Sequence, residues 1–309
     1  MKIVFMGTPE FAAYSLEKVY DKYGISAIFT KADRRNMRNN KVKYSQVKEF
    51  GLNKDIPVYQ PENINNDEIF EILKSINPDI IVVVAYGKII PKKIIDLPKY
   101  GIINVHASLL PKYRGASPIQ SAIINGDKVT GVTIMYIEEG LDEGDMILKR
   151  EVIIDETDNF MSLHDKLKIV GADTLLEALE NIFKGNLNII KQNHNEATFV
   201  KPIKKEDTQI KWDDTVDNLF NLIRGIDPFP GAYSILNDKI FKIHSVEKIN
   251  ENYKGSIGEI VDIIKNKGPI VKVNNGALLL TRVKPENKKI LTGQDIINGN
   301  YIKIGDIFN

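Results

Sequence analysis

Short, uniformly apolar runs recur along the first half of this sequence, and they constrain its fold more than any other feature. Helical patterns separate several of them, for example over residues 66–76 and 117–125. Runs that are apolar on both faces are typical of parallel strands buried beneath helices. We therefore predict an α/β fold with a Rossmann-like, mostly parallel sheet that has helices on both faces. The runs are KIVFM (2–6), ISAIFT (25–30), IPVY (56–59), DIIVVVAY (79–86), GIINVHA (101–107) and VTIMYIE (132–138).

The turn after the first run carries a signal for the start of a helix. It reads Gly7-Thr8-Pro9-Glu10. A threonine side chain can cap a helix, proline suits the first turn, and a glutamate there is stabilised by the positive end of the helix. We therefore expect Thr8 to cap the first helix.

The second half of the sequence has a different texture. A long helical pattern covers residues 161–183, and a polar connection follows over 186–208. After one more helical pattern near 216–223, short β-like runs recur between Gly, Asn and Lys turns, a spacing that suits a small, OB-like β-barrel. The runs are AYSIL, KIFKIHSV, GSIGEIVDII, PIVKV, ALLLTRV and YIKIGDIF.

This change of texture predicts two domains, as expected for a chain of 309 residues. We place the first domain over residues 1–190, a linker over 191–208 and a C-terminal β-barrel domain over 209–309. Trp212 lies near the start of the second domain, and we expect it to anchor a core or a domain interface.

The composition excludes several classes of protein. The chain has no cysteine, so structural disulfides and thiolate-ligated metals are excluded. No segment resembles a secretory signal, and none approaches the roughly 18 continuous apolar residues of a membrane span. Hydrophobic residues make up 43% and charged residues 27%, which is ordinary for a soluble globular protein. We expect a cytoplasmic protein that does not contact the membrane.

Positive charge is concentrated in one segment. The formal net charge of the chain is +1, which says nothing about a nucleic-acid partner. Residues 31–48, however, carry seven Lys or Arg and one Asp. Clustered cations gain affinity for phosphates through counterion release, although a basic segment can also be an ordinary solvated loop.

A polar pair lies at the end of the run GIINVH. Asn104 and His106 are two residues apart on a predicted strand, so their side chains project from the same face. In open parallel sheets, ligands bind at the carboxyl ends of the strands. Asp142 follows the next run within the turn Gly-Leu-Asp-Glu-Gly-Asp, and we expect it at the same edge of the sheet. An amide, an imidazole and a carboxylate can then converge on one reacting centre.

These motifs resemble the formyltetrahydrofolate-dependent formyltransferase family. The resemblance rests on Asn-x-His, Ser-Leu-Leu-Pro just after it, and Leu-Asp-x-Gly at this distance. Longer matches resemble the members of that family that act on methionyl-tRNA, and they extend over nearly the whole chain. They are GTPEFA (7–12), VVVAYGKIIP (82–91), NVHASLLPKYRGASPIQ (104–120), GVTIMYIEEGLDEGDM (131–146), QIKW (209–212) and LIRGIDPFPGAY (222–233).

The resemblance implies a reaction and its participants. A formyl group passes from the co-substrate 10-formyltetrahydrofolate to the amino group of initiator methionyl-tRNA, without a metal, in a monomeric enzyme. Asn104 and His106 donate hydrogen bonds to the developing oxyanion, and Asp142 orients or charges His106 and helps to move a proton. Preorganised donors of this kind are each worth roughly 2.7–4 kcal/mol in an acyl-transfer barrier.

The resemblance also assigns the binding residues. The folate site comprises Ser108, Leu109, Leu110, Pro111 and the backbone near Ala85, Tyr86 and Gly87. A basic loop after the second strand, over residues 32–43, engages the tRNA through Arg34, Arg35, Arg38, Lys41 and Lys43. The C-terminal barrel supplies a second tRNA surface.

Competing functions remain open at this level. An amino-sugar nucleotide formyltransferase shares Asn-x-His, SLLPKYRG and the barrel, whereas the basic loop and VVVAYG favour tRNA. A purine-pathway formyltransferase leaves the C-terminal domain unexplained, and a deformylase carries a different N-terminal domain. A non-catalytic RNA-binding protein is the alternative of another class, and the presence of Asn104, His106 and Asp142 disfavours it. We interpret His164 and the two other remaining histidines, His194 and His244, as non-catalytic, because none has a partner at metal-ligand spacing.

Overall fold

The computed structural model describes residues 1–35, 42–249, 251 and 253–309. Its internal contacts divide the chain into two compact units. The first unit comprises Met1–Gly115, Val129–Ile153 and His164–Phe199, and the second comprises Ala116–Lys128, Ile154–Leu163 and Val200–Asn309. Two short pieces of the predicted first domain therefore belong to the second unit. The domain limits predicted at 190 and 208 stay a prediction.

The secondary structure alternates in the first half and is rich in strands in the second. The strands are β1 Ile3–Gly7, β2 Ala27–Phe29, β3 Arg34–Arg35, β4 Val42–Lys43, β5 Val58–Tyr59, β6 Ile80–Val84, β7 Ile102–His106, β8 Arg114–Gly115, β9 Val129–Tyr136, β10 Met146–Ile153, β11 Phe199–Val200, β12 Ala232–Leu236, β13 Lys239–Ile249, β14 Ile260–Ile264, β15 Gly268–Val273, β16 Gly276–Pro285 and β17 Leu291–Thr292. The helices are α1 Glu10–Tyr23, α2 Gln46–Asn53, α3 Asp67–Ile76, α4 Lys92–Ile95, α5 Pro118–Ile124, α6 Phe160–Lys184, α7 Val216–Gly225 and α8 Gly293–Asn298.

A seven-stranded sheet organises the first unit, in the order β10-β9-β7-β6-β1-β2-β5. The five strands from β7 to β5 in this order run parallel to one another. Strands β1 and β6 are buried at every position, as expected of β-branched and apolar residues in a covered parallel sheet. The predicted mostly parallel sheet is therefore confirmed. The run VTIMYIE lies in β9, which pairs antiparallel with β7 and with β10.

Helix α3 shows how local sequence sets the elements between these strands. The side chain of the N-cap residue Asn66 accepts a hydrogen bond from the backbone N–H of Glu68. The helix ends at Asn77, which adopts a left-handed backbone conformation. Ile69 and Leu73 are four residues apart and are both buried, so they form the apolar face of the helix.

Thr8 does not cap helix α1. The N-cap position is Pro9, and no side chain caps the helix. The Thr8 hydroxyl instead lies 3.5 Å from the carbonyl oxygen of Tyr86 and 3.4 Å from the backbone nitrogen of Lys31. The capping prediction was wrong because this hydroxyl links the loops that follow β2 and β6.

The second unit contains an antiparallel sheet in the order β12-β13-β16-β15-β14, with β17 paired to β16. The last predicted run, YIKIGDIF, forms no strand among the described residues. Its end instead lies between the two edge strands. Asn309 exchanges two backbone hydrogen bonds with Ile235 of β12, and Phe308 donates one to the carbonyl of Gly258, just before β14. This C-terminal strap (residues 305–309) therefore connects the edges, and it closes the sheet in the way that a barrel requires.

Trp212 is confirmed as a core residue of the second unit. It is 4% exposed, its indole N–H donates to the Ser234 hydroxyl at 2.8 Å, and its ring stacks on Phe308 with 5.5 Å between centroids. Phe308 also meets the ring of Phe241 edge-on. The strap is thus held by aromatic packing as well as by backbone hydrogen bonds. Within the described ranges, no helix has the length and apolarity to cross a membrane.

Candidate active site

Three parallel strands of the first unit end at one edge of the sheet. Gly7 at the end of β1 is paired with Val84 of β6, and Val83 is paired with Asn104 of β7. The loops that follow these strands therefore start side by side, at the carboxyl edge where open α/β sheets bind ligands.

Asn104 and His106 occupy this edge as predicted. Both lie on β7 and share a face of the sheet. His106 is 5% exposed, whereas the Asn104 side chain is partly exposed. Among the described residues, the Asn104 amide has no hydrogen-bond partner in the protein, so its N–H donors are available to a ligand.

The structure brings Asp142 to His106. The distance between Oδ2 of Asp142 and Nδ1 of His106 is 3.7 Å. The other ring nitrogen, Nε2, is 2.9 Å from the carbonyl oxygen of Tyr113. A carbonyl oxygen only accepts hydrogen bonds, so Nε2 carries the hydrogen in this contact. The imidazole is therefore held between a carbonyl and a carboxylate, and the carboxylate can stabilise positive charge on the ring.

Asp142 reaches this position by a route that the sequence did not indicate. Because β9 is antiparallel to β7, its last residue, Tyr136, is paired with Ile103 and lies away from the carboxyl end of β7. The loop between β9 and β10 must therefore fold back towards His106. Asp142 adopts a left-handed backbone conformation within it, with φ at +48°. Asp142 thus lies at the expected edge of the sheet, although the strand before it ends elsewhere.

The loop after β7 is rigidly tied to the sheet. The Thr133 hydroxyl of β9 donates to the Ser108 carbonyl at 2.7 Å and accepts from the Leu110 backbone N–H at 3.1 Å. The Ser108 hydroxyl donates to the carbonyl of Lys112 at 2.6 Å. Ser108 and Leu110 are buried, and Leu110 packs on methionines of β9 and β10. Of the predicted folate residues in this loop, only Leu109 and Pro111 are partly exposed.

The second predicted folate segment follows β6 at the same edge. Ala85 and Gly87 are exposed, and both have positive φ angles, of 47° and 70°. Tyr86 between them points into the core of the first unit, where its hydroxyl is buried without a hydrogen-bond partner in the described part of the chain. Burial raises the pKa of Tyr86 to about 12. The Tyr86 side chain therefore supports the loop, and the exposed residues Ala85 and Gly87 are the part of this segment that can meet a ligand.

Sequence reasoning missed two buried residues beside Asp142. Arg114, at the start of β8, is 2% exposed and hydrogen-bonds to the side chain of Gln192, which is 5% exposed. Gln192 in turn donates to the carbonyl oxygens of Asp142 and Gly144. Arg114 was part of a recognised motif without an assigned role, whereas Gln192 lies in a polar connection that has no periodicity to mark it.

The predicted tRNA loop begins and ends in a short antiparallel ladder. Arg34 is paired with Lys43, and Arg35 with Val42. Lys43 is exposed. Arg38 and Lys41 lie outside the described residues.

A polar cluster supports the base of this hairpin. Nζ of Lys48 lies 2.6 Å from Oδ2 of Asp33 and 2.7 Å from Oε1 of Gln60. Nε2 of Gln60 in turn donates to Oδ1 of Asp33 at 2.9 Å. Partial burial alone would raise the pKa of Asp33, but the hydrogen bonds from Lys48 and Gln60 outweigh this effect and hold the pKa below its ordinary value. Across the described ranges, no group of three or more His, Asp or Glu side chains could hold a metal ion.

Comparisons with known proteins agree over nearly the whole chain. Residues 1–179 match the family described as formyl transferase, and residues 202–301 match the formyl transferase C-terminal domain. Methionyl-tRNA formyltransferase from Fusobacterium nucleatum subsp. nucleatum is 51% identical over 308 residues, which cover 99% of each chain. Its counterpart from Clostridioides difficile is 44% identical over 306 residues, again 99% of each chain.

A solved structure shares the fold. WlaRD, a sugar 3N-formyl transferase crystallised in the presence of dTDP and 5-N-formyl-THF, superimposes with a TM-score of 0.68 at 22% identity. The match covers 94% of this chain and 99% of that one. At this identity the likeness concerns the fold alone. From both sequence matches over nearly its whole length, the chain belongs to the formyl transferase family.

Proposed function

We propose that this chain transfers the formyl group of 10-formyltetrahydrofolate to the amino group of initiator methionyl-tRNA and so yields N-formylmethionyl-tRNA for translation initiation. The observation that carries this proposal is the meeting of His106 and Asp142, at 3.7 Å, on the strand edge where the partly exposed Asn104 amide can donate hydrogen bonds. The full-length relatives named methionyl-tRNA formyltransferase support the choice of acceptor.

The folate supplies a formyl group on a nitrogen that can leave. The amine nitrogen of the methionyl group forms a bond to the formyl carbon, and the carbon–oxygen π pair moves to the formyl oxygen. When that pair returns, the bond to the folate nitrogen breaks. The Asn104 amide stabilises the negative charge on the formyl oxygen, an interaction that is stronger in the transition state than in the ground state.

His106 and Asp142 handle the proton. The attacking amine must lose a proton, and the departing folate nitrogen must gain one. The imidazole beside a carboxylate can accept the first and return it to the second, directly or through water. For His106 to donate instead to the formyl oxygen, its Nε2 hydrogen must exchange the Tyr113 carbonyl for the substrate, because that hydrogen is already bonded in this structure.

The residues of the sheet edge fit a flat, polar ring system. The exposed backbone of Ala85 and Gly87 offers hydrogen-bonding groups without large side chains, and Leu109 and Pro111 offer partly exposed apolar surface. Ser108 and Leu110 hold the shape of the loop rather than contact the folate, since both are buried and Ser108 is already bonded to the carbonyl of Lys112.

The basic hairpin binds the acceptor arm of the tRNA. Arg34, Arg35, Arg38, Lys41 and Lys43 neutralise phosphates, and the ion pair between Asp33 and Lys48 holds the residues just before and after these cations. The C-terminal unit provides a second contact with the tRNA. The enzyme acts in the cytoplasm and as a monomer; light scattering at micromolar concentration tests the oligomeric state.

A formylation assay tests the proposed function. The purified chain is incubated with 10-formyltetrahydrofolate and, in parallel, with charged initiator tRNA, with the uncharged tRNA and with an amino-sugar nucleotide. We expect formylation of the charged tRNA only. Formylation of the sugar without formylation of the tRNA would reject the acceptor, and binding of tRNA without any formyl transfer would favour the non-catalytic alternative.

A further inference from the structure

We propose that Gln192 is a positioning residue for the Asp142 carboxylate, an inference that rests on the catalytic role proposed above for Asp142. Gln192 lies fifty residues further along the chain, in the segment after helix α6. It does not touch the reacting atoms itself. It acts by holding the backbone on both sides of Glu143, in the loop that carries Asp142.

The hydrogen-bonding capacity of the Gln192 side chain is completely used. Its Oε1 accepts from Nε and Nη2 of Arg114, at 3.0 and 2.8 Å. Its Nε2 donates to the carbonyl oxygens of Asp142 and Gly144, at 2.9 and 2.7 Å. A primary amide has two N–H donors and two acceptor sites, so all four are filled. Because a guanidinium only donates and a carbonyl only accepts, this arrangement also fixes which way the amide points.

The loop that Gln192 holds is under conformational constraint. The φ angle of Asp142 is +48°. Residues other than glycine seldom adopt this left-handed conformation, so the surrounding structure must maintain it. Gly144 lies so close to β9 that an added Cβ would be 2.0 Å from the carbonyl oxygen of Tyr136. The two hydrogen bonds from Gln192 therefore fall on the segment where the backbone is both strained and tightly packed.

Arg114 connects this support to the loop that holds His106. The residue before Arg114 is Tyr113, whose carbonyl accepts from His106, and the residue after it is Gly115, whose N–H donates to Oδ2 of Asp142 at 2.8 Å. Gln192 thus links the segment that contacts the imidazole with the segment that carries the carboxylate. Its amide sets the separation between them, and a misplacement of about 1 Å between reacting groups can reduce a rate about 100-fold.

The test compares Gln192→Glu with Asn193→Asp. Gln192→Glu keeps the size of the side chain and the acceptor for Arg114, but it removes both donors and sets a carboxylate against two carbonyl oxygens. Asn193→Asp makes the same change of amide to carboxylate one residue away, on an exposed side chain whose capping oxygen is retained. Single-turnover formylation of charged tRNA, the KM for each substrate and thermal unfolding are measured for both variants, alone and in an Asp142→Ala background.

We expect Gln192→Glu to lower the single-turnover rate 10- to 100-fold, with each KM within about twofold of the wild type, while Asn193→Asp changes neither. In the Asp142→Ala background, Gln192→Glu should lower the single-turnover rate by no more than about twofold, because the carboxylate that Gln192 positions is gone. The proposal is overturned if Gln192→Glu keeps the wild-type single-turnover rate. It is also overturned if Gln192→Glu lowers that rate by the full 10- to 100-fold in the Asp142→Ala background.

Two further observations keep the outcomes apart. If Gln192→Glu does not fold, Gln192→Met, which keeps the length without adding charge, is held to the same criteria. Failure of the unsubstituted chain to formylate charged tRNA contradicts the proposed function. Normal activity of that chain together with an unaffected Gln192→Glu variant contradicts only the role of Gln192.

Discussion

The backbone N–H of Gly115 donates a 2.8 Å hydrogen bond to Oδ2 of Asp142. The same oxygen lies 3.7 Å from Nδ1 of His106, so one carboxylate atom both receives support from β8 and faces the imidazole. An asparagine at this position can still accept from Gly115, but it has no charge with which to stabilise a protonated ring. Position and charge at Asp142 can therefore be separated by experiment.

Asp142→Asn should lower the single-turnover rate of formylation about 100-fold, because proton transfer by a positioned acid–base pair contributes at least about that much. Folding should be unaffected, since the hydrogen bond from Gly115 is retained. Asp145→Asn, in the same loop, is the matched control and should keep the wild-type rate. A rate for Asp142→Asn within threefold of the wild type would exclude the carboxylate charge from the mechanism.

Asn104→Ala should lower the single-turnover rate about 100- to 1,000-fold, as the loss of one oxyanion donor does in other acyl transfers. Its affinity for folate, measured by equilibrium titration, should change little, because the donor acts on charge that develops during the reaction. Asn65→Ala, an exposed asparagine of the same unit, controls for the substitution. A loss that appears only in folate affinity would reassign Asn104 to binding.

The basic hairpin should make tRNA use sensitive to salt. Arg38→Ala or Lys43→Ala should weaken kcat/KM for the tRNA and reduce the slope of its logarithm against the logarithm of salt concentration by about 0.7–0.9 for each phosphate that the variant no longer neutralises. Lys74→Ala removes a cation from helix α3, away from the hairpin in sequence, and should leave the slope unchanged. Equal slopes for all three variants and the wild type would contradict the tRNA-binding role.

Asp33 should stabilise the base of the hairpin in a pH-dependent way. Its pKa is lower in the folded chain than the ordinary value of 3.8. Its contribution to the free energy of unfolding is therefore present above that value and is lost as the pH falls through the lower, folded pKa. Urea unfolding should show Asp33→Asn to be less stable than the wild type by about 1 kcal/mol or less at pH 6. This difference should shrink below pH 3.8. Asp21→Asn, on the exposed side of helix α1, serves as the control. If the difference in unfolding free energy between Asp33→Asn and the wild type is the same at pH 6 and below pH 3.8, the charge of Asp33 does not stabilise the hairpin.

Phe308→Ala should lower the free energy of unfolding by about 3–5 kcal/mol, the usual cost of removing a buried phenylalanine ring. Phe308 is 3% exposed and contacts Trp212 and Phe241, whereas Phe229 is 75% exposed. Phe229→Ala in the same unit should therefore change stability by no more than about 0.5 kcal/mol. Chemical denaturation of the full chain gives both values. A loss for Phe308→Ala as small as that expected for Phe229→Ala would show that the strap is not part of the core.

The strands and the placement of Asn104 and His106 at a strand end were predictable because each left a local signal. The residues of β6 are apolar at every position, and Asn104 and His106 follow the two-residue alternation of a strand. Burial and alternation act over a few residues, so a single sequence displays them.

The supporting contacts were not predictable, since each depends on residues far apart in the chain. Thr8 bonds to Lys31 and Tyr86 rather than to its own helix, and Gln192 bonds across fifty residues to the Asp142 loop. The direction of β9 is also a matter of tertiary pairing, which the apolar run itself does not specify. Residues 301–308 have the composition of a strand, but of these residues only Ile307 forms a β-bridge, with Glu259. The chain turns between Lys303 and Asp306, so the segment does not extend along a neighbouring strand.

Helix α5 lies early in the chain, yet it packs on α7 within the second unit. About ninety residues separate the end of α5 from the start of α7. A ribosome that adds about 5–20 residues per second completes that stretch in on the order of ten seconds. During this interval the apolar face of a nascent α5 has no native partner, so the period just after its synthesis is when we expect this chain to need a chaperone most.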